Sequence, residues 1–198
     1  DTICHEHLEY YSLRSIKYIL DEADFKIIDL DFNDINGGSF ALCVAKKRSK
    51  FKEITRIVNW LLKKEELYKY NSFNTHIKFF NTVKHHKKVF TDLLLNLKDM
   101  GKKIVGYGAS TKGNVILQYC KITSSHIDLI LDVNKDKNGK YTPGSNIKIV
   151  DEKLKYKIKP DYMLVLPWHF KNFIVNKEKK YLNNGGKLIF PLPDIEII

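Results

Sequence analysis

This sequence predicts an α/β fold, a Rossmann-like parallel sheet domain preceded by a helical connector, on three observations. After Gly101, short β-branched runs alternate with helical periods. One of those runs passes straight into a helix through a loop of small residues, Gly106-Tyr107-Gly108-Ala109-Ser110-Thr111-Lys112-Gly113-Asn114. The composition of the 198 residues, 43% hydrophobic and 12% aromatic with only 10 Gly and 5 Pro, is that of a chain with a packed core and excludes a low-complexity polymer.

Taken in order, Leu13, Ile16, Ile19 and Leu20 recur at helical spacing between Ser12 and Ala23, with Ser12 as N-cap. Phe25 to Phe32 and Ser39 to Ala45 read as strands joined by a turn-forming cluster, hence an antiparallel hairpin. An apolar stripe from Phe51 through Leu67 predicts a long helix to Tyr70. A second helix is predicted from His76 to Met100, burying Phe79, Phe80, Val83, Phe90, Leu93, Leu94 and Leu97 and closed by Gly101. The run Lys84-His85-His86-Lys87-Lys88 on that helix reads as a solvated face. Beyond it the expected strands are Lys102 to Tyr107, Ile127 to Leu131, Tyr162 to Leu166 and Lys187 to Phe190. The expected helices are Thr111 to Cys120, Asp151 to Tyr156 and Phe170 to Leu182.

The net charge is +11, divided as 17 basic against 14 acidic residues up to Met100 and 17 against 9 beyond it. A basic second half favours a phosphate-bearing ligand, while the lack of any recognition signature argues against a specific nucleic-acid partner. Three widely spaced cysteines, Cys4, Cys43 and Cys120, fit no disulfide framework and suggest the cytoplasm. No apolar run approaches the roughly 18 residues of a membrane span. The opening at Asp1, with no Met, suggests a fragment of a longer protein.

The glycine loop presents backbone N–H groups and a positive helix end to whatever lies above the sheet, which suits a diphosphate. Gly106 and Gly108 are expected to allow the turn and Gly113 to permit close helix packing. Ser110, Thr111, Lys112 and Asn114 add polar groups. The glycine spacing is neither the dinucleotide fingerprint nor a Walker A loop, and a merely tight strand-to-helix turn is the alternative. Asp132 and Asn134, at the end of the next strand, could meet a ribose or a base; Lys137, Lys140 and Tyr141 are expected near the same sheet edge. Trp168 and His169, after the penultimate strand, could stack on and hydrogen-bond a ligand. At the start, Cys4-His5-Glu6-His7 and then Tyr10 and Tyr11 offer an imidazole beside a carboxylate, the makings of a general base. With no third ligand nearby, no metal is expected there. The glycine loop and Asp132 alone would also suit a non-catalytic NAD- or nucleotide-binding Rossmann-like domain.

Several stretches together resemble the C-terminal portion of the sugar C-methyltransferase family, which uses S-adenosylmethionine (SAM) to methylate carbon 3 of nucleotide-linked 4-keto-deoxysugars. These are Asp1 to Leu13, Asn36 to Phe40, Gly106 to Cys120, Tyr141 to Val150, Lys159 to Phe170 and Gly185 to Pro193. The resemblance implies that residues 1–47 finish a SAM-methyltransferase domain, 48–100 form a helical connector and 101–198 hold the nucleotide of the sugar. It implies that SAM is bound mainly by a domain absent from this chain, without which the fragment would be inactive. It makes His7 the base that removes the proton beside the ketone, with Glu6 nearby. Cys4 stands where the family motif has Tyr, so either Tyr10 or Tyr11 supplies the phenol, or the substrate or reaction differs.

Overall fold

The computed structural model describes residues 9–33 and 38–198. Cys4, His5, Glu6 and His7 therefore lie outside the described residues, as do Asn36 and Gly37 of the expected turn. The chain divides into two compact units, residues 1–81 and 82–198.

In the first unit, α1 (Leu13–Glu22) starts where the Ser12 hydroxyl accepts from the Ser15 N–H. The Glu65 carboxylate caps the same end from outside, accepting from the N–H groups of Leu13 and Arg14 at 2.6 and 3.0 Å. The expected hairpin forms from β1 (Phe25–Asn33) and β2 (Ser39–Lys46), antiparallel with an irregularity between Ile27 and Asp29. Helix α2 (Thr55–Leu67) is shorter than its apolar stripe, because no side chain caps it upstream and Phe51 lies outside it, exposed. Of that stripe only Val58 is fully buried, joining Leu13 and Ile27 in a small core.

Helix α3 (Phe73–Asp99) spans the division between the units. Phe90, Leu94 and Leu97 are buried as expected, but Phe79 and Phe80 are exposed, so the buried face is narrower than the periodicity implies. Gly101 closes the helix at φ +74°, a left-handed residue that lets Lys102 N–H reach back to Leu97. The basic run is not wholly solvated: His86 Nε2 donates to the Pro191 carbonyl at 2.6 Å, and the Lys87 ammonium lies over the Tyr119 ring.

The second unit is built on six strands in the order β5-β4-β3-β6-β7-β8. These are β3 (Ile104–Tyr107), β4 (Ile130–Asp132), β5 (Ile149–Asp151), β6 (Tyr162–Val165), β7 (Lys187–Phe190) and β8 (Glu196–Ile197). All neighbours are parallel except β7 and β8. The helices are α4 (Thr111–Tyr119), α5 (Lys155–Ile158), α6 (Lys171–Lys177) and α7 (Lys179–Asn183).

Strand alternation sends residues to two layers. Ile104, Ile130, Leu164 and Ile189 pack with α3 and α4; Val105, Leu131, Met163 and Leu188 pack with Ile174 of α6 and Tyr181 of α7. The architecture is Rossmann-like α/β. Strands β5 and β8 were not foreseen, being only three and two residues long. Asp151 ends β5 rather than starting a helix, and its carboxylate caps the turn that follows, accepting from Lys153 N–H. The expected helix from Phe170 to Leu182 is broken at Glu178 into α6 and α7.

Candidate functional site

In this strand order the chain leaves β3 toward β4 and leaves β6 toward β7, in opposite directions. The carboxyl ends of β3 and β6 therefore flank the topological switch point, where open α/β sheets take up ligands. Two of the segments singled out from the sequence meet there. Gly108 follows β3 at φ +80°, and a Cβ on it would come within 2.8 Å of Pro167 Cδ, so only glycine fits. Gly113, in the first turn of α4, lies so close to β6 that a Cβ would fall 2.5 Å from Leu166 Cβ, the close helix packing expected of it.

Gly106 has another role than the turn expected for it. It lies inside β3, fully buried, and a Cβ there would come within 2.7 Å of Ile130 Cγ1. Ser110 is the N-cap of α4, its hydroxyl accepting from Gly113 N–H at 3.0 Å and its carbonyl from Asn114 N–H. Thr111 is exposed, and Lys112 and Asn114 are half-buried, on the same first turn.

Asp132 is buried at 7% exposure, with both oxygens engaged. One accepts from Ala109 N–H and the other from Asn134 N–H, each at 2.7 Å. The Lys137 ammonium completes the brace, 2.7 Å from the Ala109 carbonyl and 3.5 Å from Asp132 Oδ2. Asp132 thus braces the loop while also lining the cavity beside Gly108. Asn134 caps the next turn, its side-chain oxygen accepting from Asp136 N–H. Lys140 and Tyr141 are not at this edge: they pair with Ile149 and Lys148, where β5 begins. Asp132→Ala would strand two backbone N–H groups and leave Lys137 without its acid. The expected loss is about 2 kcal/mol of unfolding free energy by urea titration, with Asp132→Asn falling between it and the parent.

Trp168 is half-buried and packs against both core layers, edge-on to the His169 ring at 5.8 Å between centroids. Burial, and then the nearby Lys112 charge, hold the His169 pKa below its ordinary 6.5, so the ring is neutral at neutral pH. In an NMR titration its midpoint is expected below 6.5, rising when a nucleoside diphosphate is added, because the anion offsets Lys112 and favours the imidazolium. A midpoint above 6.5 without ligand would contradict the proximity of Lys112.

A small cavity of about 140 Å³ lies beside Gly108, lined by Tyr107, Asp132, Val133, Pro167, Phe170 and Phe173 among others. Behind it, the buried Tyr107 hydroxyl donates to Glu178 at 2.7 Å and lies 3.1 Å from Glu152. Burial, and then the Glu178 carboxylate, push that phenol well above its usual range. Lys155 pairs with Glu178 at 2.7 Å and Lys177 with Glu152 at 2.8 Å. The sequence does not link Tyr107 to Glu152 and Glu178, because each lies on a different element with no spacing to join them. Of the remaining candidates, Tyr10 is exposed, and Glu6 and His7 lie outside the described residues. Among the described residues no group of three or more His, Cys, Asp or Glu could hold a metal ion. No described helix is long and apolar enough to cross a membrane.

The fold is that of a Rossmann-like α/β domain with a glycine loop braced at its switch point. A family described as "C-methyltransferase C-terminal domain" matches residues 34–193. The C-methyltransferase NovU of Streptomyces niveus is 31% identical over the whole 198 residues, which cover 47% of its own length. The chain belongs to the C-methyltransferase family, in the part that forms its C-terminal domain. It spans about half the length of the curated relative it matches.

Proposed function

We propose that this chain is the acceptor-binding part of a SAM-dependent methyltransferase acting on carbon of a nucleotide-activated keto-deoxysugar in the cytoplasm. Residues 1–47 complete a methyltransferase domain, 48–100 connect, and 101–198 bind the nucleotide. The observation that carries this is the meeting of the Gly108 loop with Pro167 at the switch point, in a chain of this family. There Lys112, Thr111 and the first turn of α4 suit a diphosphate, and Trp168 and His169 suit the remainder of the ligand.

SAM supplies the methyl group when bound. The acid beside the glycine loop, Asp132, is committed to the backbone amides of Ala109 and Asn134. What this chain contributes to the chemistry is proton removal. A C–H beside a ketone is acidic because its conjugate base is an enolate, and the His7 imidazole is the base that accepts that proton, with Glu6 next to it in sequence. The enolate carbon is then the nucleophile. Tyr10 or Tyr11 can donate a hydrogen bond to the enolate oxygen in place of the Tyr that Cys4 replaces.

The alternative, a non-catalytic NAD-binding domain, needs a carboxylate free for ribose hydroxyls at the end of β4, and the engagement of Asp132 weighs against it. Calorimetry decides between them. Nucleoside-diphosphate sugars are expected to bind this chain and NAD is not; binding of NAD alone would reverse the assignment.

A further inference from the structure

The opposite end of the sheet carries chemistry that the glycine loop does not use. A cleft of about 490 Å³ opens where the chain enters β6 and β7, with Tyr156, Lys159, Lys180, Tyr181 and Gly185 among its walls. That volume is within the range of small-molecule sites. Its charges divide into those already committed and those that are not. Lys155 and Lys177 are paired with Glu178 and Glu152, and the Asp161 carboxylate accepts from Lys103 N–H at 2.8 Å. Lys159 and Lys180 have no ion-pair partner among the described residues, so their two ammonium groups outnumber the one carboxylate of the cleft, Asp161, that has no cation of its own.

Its walls are also preformed. The Tyr181 hydroxyl lies 3.1 Å from the Pro160 carbonyl and 3.3 Å from that of Lys187, and Gly186 lies directly against its ring. Tyr156 offers a second ring, 65% exposed. Gly185, at φ +87°, has nothing within 4 Å of where a Cβ would stand, leaving open space at that end.

We propose that this cleft is a second ligand site, for a small organic anion in which a phosphate is carried on a flat ring. Lys159 and Lys180 would meet the phosphate, and Tyr156 and Tyr181 would flank the ring. It stands apart from the diphosphate assigned to the glycine loop, since it lies at the amino ends of the strands and the loop at their carboxyl ends.

Phenyl phosphate titrated into the 198-residue chain, followed by amide NMR, tests it. The amides of Tyr156, Lys159, Lys180 and Gly185 are expected to shift, and phenol or inorganic phosphate alone to bind at least about tenfold more weakly. The Lys159→Ala/Lys180→Ala variant removes only exposed charges, and should keep the parent spectrum while weakening binding about tenfold or more. The site would be overturned by unmoved amides around the cleft, by equal affinity in the double variant, or by inorganic phosphate binding as tightly as phenyl phosphate.

Discussion

Glu178→Ala is expected to destabilise the second unit by about 3–5 kcal/mol, as for a buried ion pair broken from one side. Glu178 is 2% exposed, and the side chain of Lys155, paired with it, only 10%. Removing the carboxylate leaves a buried ammonium and the Tyr107 hydroxyl without their shared acceptor. The cost arises from the stranded charge, not from a large net gain in forming the pair, because desolvating two ions offsets most of their attraction. A double variant, Glu178→Leu with Lys155→Met, is therefore expected to recover much of the loss in urea denaturation. A double variant no more stable than Glu178→Ala would show that the network holds the fold by other means. The site should feel it as well, since Tyr107 directly precedes Gly108.

His7→Ala, in a protein with methyl-transfer activity that carries this chain, is expected to lower kcat by about 10²–10⁴-fold, the usual contribution of a general base. The substrate carbon must lose its proton before it can attack, and water is a poor base for a C–H of that acidity. Nucleotide binding should be unchanged, because the residues assigned to it lie beyond Gly101. Imidazole added to the buffer should restore part of the rate to this variant and none to a glycine-loop variant. Turnover equal to that of the parent would remove His7 from the base role.

The parallel sheet was legible because its strands are short β-branched runs with glycine punctuation, and Lys187 to Phe190 is a strand with the bounds expected of it. Gly101 and Gly113 were legible because a helix end and a tight strand-to-helix approach each demand a residue without a side chain. Where periodicity misled, burial depended on partners. Phe79 and Phe80 fit the apolar face of α3 and are exposed, whereas Phe90, a few turns on, packs beneath the sheet. The role of Asp132 was hidden for a related reason. Its position at the end of β4 is that of a ligand-binding acid, and only the three-dimensional approach of Ala109 makes it a brace as well. Strands β5 and β8 exist because neighbours offer them edges, a signal that no local pattern carries.

The glycine loop at the end of β3 is proposed to grip the diphosphate of the acceptor. Amide NMR of the 198-residue chain with added nucleoside diphosphate tests it most directly. Shifts concentrated on Gly108 to Asn114 and on Trp168 and His169, weakened by Lys112→Ala, are the result expected. Saturable binding that leaves those amides unmoved, or no binding of any nucleoside diphosphate, would contradict it.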